Sequence, residues 1–297
     1  MLFFENSGLD TPAVGAFVVE TACFLCYNKK NTQKAGEEMA SKDDYIAVFD
    51  SGVGGISVLR ELIAAMPGEN YLYFGDSAHA PYGEKSTDQV RDLTLQNAGM
   101  LLSKKVKALV IACNTATSAA IDALRRQYPD TIIVGIEPAL KPAVDRFPQG
   151  NIGIMATQVT LREEKLNHLL ERFPQARVMR IPAPGLVELI EQGKAEDPET
   201  EELLQKVLAP YIGKLDALVL GCTHYPFAEK AISRILGEGT QLFDGGAGTA
   251  RQTRRCLELA GLLREGEGSV TVENSLGTPE ILQLSFTLLD LGGNTHA

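Results

Sequence analysis

From Tyr45 onward the chain alternates short apolar runs with amphipathic stretches, and this rhythm restricts the fold more than any other feature. The runs are YIAVF (45–49), YLYF (71–74), VKALVIA (106–112) and TIIVGI (131–136), each followed by a segment with helical spacing. The pattern then restarts with NIGIM (151–155), VMRI (178–181), DALVL (216–220), QLF (241–243) and SVTV (269–272). Helices are expected from Ile56, Thr87 and Val159, over 185–193 and 199–212, and at the end of the chain. Strand–helix alternation with short connections predicts parallel sheets covered by helices on both faces. The fold class is therefore α/β, with two similar doubly wound parallel-sheet domains facing each other across a cleft. Residues 45–140 form the expected first domain and 141–272 the second, with the boundary near 138–150. The stretch 273–297 is expected to cross back to the first domain.

Residues 1–44 do not share this rhythm and read as an N-terminal extension, with Met39 as an alternative start. Cys23-Phe-Leu-Cys26 has the spacing of half a zinc site or a redox pair, but no second pair at ligand spacing completes it. Five cysteines spread along the chain fit a reducing compartment. No apolar run approaches the roughly 20 residues needed to span a bilayer, and the first residues lack a secretory pattern. The expected location is cytoplasmic, without membrane association. With 28 Lys and Arg against 38 Asp and Glu, a net charge of −10 argues against nucleic acid as a partner.

Two of the apolar runs end in cysteine: LVIACNTATSAA, with Cys113, and LVLGCTHYPF, with Cys222. A thiol just past a strand and before a helix faces the crevice where open α/β sheets bind ligands. A helix N-terminus there favours thiolate over thiol. Three readings compete. Buried structural thiols would not need the polar residues that follow, Asn114-Thr115 and Thr223-His224. Metal ligands would need further Cys or His, and the chain has four histidines. A phosphatase thiol would need Arg six positions on, where Ala119 and Ala228 stand. Acid–base or nucleophilic work remains, with Asp50 beside Cys113 if the first and third strands are neighbours, and His224 two residues from Cys222. Two thiols across one cleft suit racemisation at a Cα, which needs a base on one face and an acid on the other. A free thiol has a pKa of about 8.5, so a modest shift brings thiolate within reach at neutral pH.

Asp50-Ser-Gly-Val-Gly-Gly55 follows a strand and precedes a helix, yet lacks both the G-x-G-x-x-G spacing and the P-loop lysine. Its glycines read as permitting a tight turn that presents Asp50 and Ser51 to the crevice. His79-Ala-Pro-Tyr-Gly83 lies in an irregular loop where Tyr82 and Gly83 offer a hydroxyl and a bare N–H.

FDSGVGGISVL, FGDSAHAPYGEKS, VIACNTATSA, GIEPALKPA and LVLGCTHYP together resemble bacterial glutamate racemases of the cofactor-independent Asp/Glu racemase superfamily. The resemblance runs from about Ile46 to Leu291. It implies racemisation of L- to D-glutamate for peptidoglycan, with no cofactor and no metal. Cys113 and Cys222 would be the two bases, the second-domain thiol deprotonating the L form. Asp50 would assist Cys113; His224 and a glutamate would assist Cys222. In LVELIEQG, Glu191 is the best match for that glutamate and Glu188 the fallback. Asp50, Ser51, Tyr82, Gly83, Asn114, Thr115, Thr157, Thr160, Thr223 and His224 would hold the substrate. Some members respond to a cell-wall precursor activator, and members occur as monomers or homodimers. Two other functions are weighed: aspartate racemase, whose second motif usually carries Glu where this chain has His224, and a non-catalytic α/β ligand-binding protein with structural cysteines.

Overall fold

In the computed structural model, residues 40–290 are described, so the Cys23/Cys26 pair, Met39 and the 291–297 tail lie outside them. The apolar runs become strands β1 (Tyr45–Asp50), β2 (Asn70–Gly75), β3 (Val106–Ile111), β4 (Ile132–Gly135), β5 (Asn151–Ala156), β6 (Arg177–Pro182), β7 (Ala217–Leu220), β8 (Gln241–Asp244) and β9 (Ser269–Asn274). They form two sheets, ordered β4-β3-β1-β2-β9 and β6-β5-β7-β8, with every pairing parallel. Parallel strands buried on both faces favour apolar side chains, and β3 (VKALVI) is buried from its second residue, its one charge, Lys107, pairing with buried Glu69.

Apart from β9, the two sheets repeat one topology. In each, the chain starts at an inner strand, pairs its next strand on one side, then returns to pair on the other. That reversal creates a switch point between β1 and β3 in one lobe and between β5 and β7 in the other. Ligand crevices of open α/β sheets form at the carboxyl ends of such strand pairs, because the connecting loops there diverge to opposite faces. Cys113 and Cys222 each stand two residues past the last residue of β3 and β7. Both lobes lie within one compact unit.

The return to the first lobe comes earlier than the sequence suggests. SVTV (269–272), expected to close the second series, instead pairs with the outer edge of β2 in the first sheet. The helix Gly246–Ala260 already packs against Ile56–Ala65 of that lobe. Periodicity identifies a strand but not its partner; here the free edge of β2 decides, tied by Ser269 N–H to Glu69 O (3.2 Å) and Ser275 N–H to Gly75 O (2.9 Å).

Two helices also differ from expectation. The stretch 199–212 is α-helical over Pro198–Leu208 and then tightens to a 3₁₀ turn at Ala209–Tyr211, where Pro210 has no N–H to continue the ladder. The helix expected from Val159 is two, Gln158–Arg162 and Glu164–Glu171, interrupted at extended Glu163.

Candidate active site

Cys113 caps the helix Asn114–Gln127, and its sulfur accepts the Ala116 N–H at 3.4 Å while lying 3.5 Å from Ser51 Oγ. These contacts favour the thiolate, as the sequence suggests, but they lose to burial. Burial first, and then the neighbouring Asp50 carboxylate, push the Cys113 thiol up to about 12. The helix N-terminus therefore does not make Cys113 a resting thiolate.

Cys222 sits in a different setting. Its sulfur is 3.7 Å from His224 Nδ1, and His224 Nε2 is 2.6 Å from Glu191 Oε1. The Val53 N–H donates to the same Glu191 oxygen at 2.7 Å, and the Ser77 hydroxyl to Oε2 at 3.0 Å. Burial would raise the Glu191 pKa, but the hydrogen bond and charge of His224, with the Val53 and Ser77 donors, hold it below the usual carboxylate value. An ionised carboxylate only accepts, so His224 Nε2 carries a proton and Nδ1 faces the thiol. Burial disfavours a charged imidazole, yet the Cys222 sulfur and Glu191 raise the His224 pKa well above the ordinary histidine value.

Both thiols line one narrow cavity of ≈ 10 Å³, together with Ser51, Tyr82, Gly83, Asn114, Thr115, Thr157, Thr223 and His224. That is about the room one water takes, so the walls stand closed around the two thiols. Pro81 and Val187 also line it, and neither carries a sequence signal beyond its neighbourhood. A larger recess of ≈ 340 Å³ shares Pro81, Gly83, Thr157 and Val187 with it, but contains neither thiol. Within the small cavity the polar groups are hydroxyls, amides and an imidazole rather than Lys or Arg. Asn114 Oδ1 is buried there without a hydrogen-bond partner, a costly arrangement unless a ligand supplies a donor.

The other expected site residues separate into wall and support. Asp50, expected to touch substrate, stands fully buried behind the wall, accepting the Gly52 N–H at 3.0 Å and the Thr223 hydroxyl at 3.0 Å. Burial raises its pKa, against the opposing influence of His224, Thr223 and Gly52. Thr160 likewise stays out of the lining and bonds Thr115 and Thr157 at 3.2 and 3.1 Å. The Tyr82 hydroxyl is committed to Asp76 Oδ2 at 2.7 Å, so its ring faces the cavity rather than its proton. Glu188 lines the larger recess, while Glu191 holds His224. Among the described residues, no group of three His, Cys, Asp or Glu is placed to hold a metal ion.

Residues 51–55 make the expected turn between β1 and the next helix, but its backbone does not require glycine there. None of Gly52, Gly54 and Gly55 has positive φ. Instead, a Cβ on Gly52 would lie 1.9 Å from Glu191 Oε1, and one on Gly54 would lie 2.4 Å from His224 Nδ1. Bare backbone lets the second lobe's relay close onto the first. Ser57 Oγ to Thr223 O (2.8 Å) and Thr115 Oγ1 to Thr157 Oγ1 (3.1 Å) add to these ties between the lobes.

Twin α/β lobes thus present one thiol each to a shared cavity. The chain belongs to the Asp/Glu/hydantoin racemase family, whose model matches residues 50–253. A glutamate racemase of Clostridium kluyveri is 48% identical over 255 residues, covering 84% of this chain and 99% of the relative. The solved glutamate racemase of Thermus thermophilus, in complex with beta-chloro-D-alanine, is 37% identical with a TM-score of 0.69, covering 85% of this chain and 94% of that one. The Escherichia coli glutamate racemase, in complex with L-glutamate and the activator UDP-MurNAc-ala, is 30% identical with a TM-score of 0.73, covering 84% and 94%.

Proposed function

We propose that this chain interconverts L- and D-glutamate by proton transfer between two thiols, supplying D-glutamate for peptidoglycan in the cytoplasm. The observation that supports the reading is a pair of unequal thiols, one from each lobe, lining one cavity: Cys222 with an imidazole at its side and Cys113 held protonated. Cys222 passes its proton to His224 Nδ1, and Glu191 stabilises the resulting imidazolium through Nε2–H. The thiolate removes the Cα proton from one face, and the Cys113 S–H delivers a proton to the other. The product state has the thiolate on Cys113, ready for the opposite enantiomer. The buried Asn114 Oδ1 accepts from the substrate ammonium, whose positive charge also favours loss of the Cα proton. Hydroxyls of Ser51, Thr115, Thr157 and Thr223, with the Gly83 N–H, serve the carboxylates; Asp50 and Thr160 act behind them.

Incubation with L-glutamate in deuterated water tests the reading. Deuterium entering Cα together with loss of optical rotation is the expected result; reaction with L-aspartate alone points to the sibling activity, and none with either removes the enzyme reading. Adding UDP-MurNAc-Ala to the same assay extends the regulation of the E. coli relative to this chain if the rate changes. As for location, no helix among the described residues is long and apolar enough to cross a membrane.

A further inference from the structure

The relay behind Cys222 continues beyond Glu191 into the other lobe. Ser77 lies in the loop after β2, and its hydroxyl oxygen accepts Asn274 Nδ2 at 2.9 Å while donating to Glu191 Oε2 at 3.0 Å. The direction of this chain is fixed by its far end. Asn274 Oδ1 accepts the Leu276 N–H at 3.0 Å, and a backbone N–H only donates. The Asn274 amide is thereby oriented with its NH₂ group toward Ser77. With a donor already on its lone pair, Ser77 turns its single proton to Glu191. The contiguous chain runs Leu276 N–H, Asn274, Ser77, Glu191, His224, Cys222.

We propose that Ser77 and Asn274 are positioning residues for the Cys222 half of the site, wiring the terminal strand β9 of one lobe to the thiol of the other. Neither residue lines the catalytic cavity, so neither touches substrate. Ser77 keeps Glu191 in the acceptor state and fixes its rotamer, which fixes the His224 tautomer and leaves Nδ1 available to the thiol. It also explains why β9 returns to the first sheet: the strand's last residue, Asn274, is delivered beside Ser77 by its pairing with Gly75. The ionisable groups around Glu191 are His224 and Cys222 from its own lobe, with Asp50 and Tyr73 from the other. Tyr73 stays neutral, its hydroxyl donating to Gly52 O at 2.6 Å, and Asp50 sits on the Cys113 side.

This inference rests on the racemase reading for its kinetic arm, and a spectroscopic arm keeps the two separable. In the full-length chain, Ser77→Ala is expected to lower kcat about tenfold with KM within about twofold, the size of losing one hydrogen bond to a charged group. The acid limb of the kcat/KM profile should move up by about half a pH unit or more, since Glu191 loses a donor that favours its ionised form. Enantiomers have equal free energy, so kcat/KM must fall equally in both directions. The affected side appears instead in α-deuterium isotope effects, which should rise for the enantiomer deprotonated by Cys222 and fall for the other. Ser77→Thr, which keeps the hydroxyl, should restore kcat to within about threefold. Asn274→Asp should reproduce the Ser77→Ala loss, because a carboxylate there takes the serine proton away from Glu191. Nitrogen-15 NMR of His224 should show its titration moved in Ser77→Ala, because the carboxylate it bonds has lost a donor and its fixed rotamer, independent of any substrate. An unmoved His224 titration overturns the proposal whatever the activity of the wild type. So does a kcat within twofold of wild type with an unmoved acid limb, or an equal loss in Ser77→Thr.

Discussion

The two cysteine turns start from nearly the same local sequence and end in different chemistry. Each follows a buried parallel strand at a switch point, and each thiol is at least nine-tenths buried. After Cys113 the chain enters a 14-residue α-helix whose first turn bonds the sulfur. After Cys222 it makes a short 3₁₀ turn, Tyr225–Ala228, which leaves His224 free to fold back on the thiol. Cys113 faces a carboxylate, Asp50; Cys222 faces an imidazole anchored by one. The comparison teaches that a helix N-terminus alone does not determine a thiol's protonation: the Ala116 N–H is outweighed by desolvation and a nearby negative charge. In the proposed two-thiol reaction, burial and Asp50 favour the protonated form of Cys113, the partner that delivers a proton.

The largest effects should come from removing either sulfur. Cys113→Ser and Cys222→Ser should each lower racemisation at least about 10³-fold, within the span of removing a general acid or base. Each should still exchange the Cα proton of a suitable analogue one way in deuterated water, with opposite enantiomer preference. Identical residual exchange in the two variants would break the comparison at its root.

Next comes the relay. Glu191→Gln keeps a group near His224 but removes the charge that stabilises its imidazolium, and kcat/KM should fall about 10²-fold. Glu188→Gln should stay within about threefold of wild type in the same coupled assay. Equal losses would undo the choice between the two carboxylates.

Alkylation by iodoacetamide at pH 8, located by mass spectrometry, should reach Cys222 about tenfold faster than Cys113, because only the thiolate reacts and Cys113 lies up at about 12. Faster labelling of Cys113 would reverse the assignment of the resting proton.

Asp50→Asn gives the smallest change and the one of mixed sign. Its folded pKa is raised above the unfolded value, so ionising it costs stability as pH rises from the unfolded pKa of about 3.9 through the folded one. At neutral pH the neutral amide should raise Tm by about 2–4 °C. Activity should fall about tenfold, since the polarity of the Thr223 contact and the field at Cys113 both change. A lower Tm with unchanged activity would make Asp50 purely structural.

Much of the site was legible before the fold because its residues cluster in five short stretches, four of which stand at strand ends. Cys113, Asn114 and Thr115 are consecutive, as are Cys222, Thr223 and His224, and the β/α rhythm alone points them at a crevice. What was not legible has long-range causes. Ser77 and Asn274 look like ordinary loop residues until the return of β9 brings them together across 197 positions. Gly52 and Gly54 looked like turn formers because nothing local reveals that Glu191 and His224 press on them from the other lobe.

The sequence by itself determined the α/β class, the paired strand-end thiols and the family, because hydrophobic period and motif order are properties of neighbouring residues. Tertiary structure decided which sheet takes β9, that Glu191 rather than the fallback Glu188 meets His224, and how far burial raises Cys113. Those outcomes depend on strand-edge pairing, on desolvation and on charges brought together from distant segments, and each exists only once the two lobes have closed on one another.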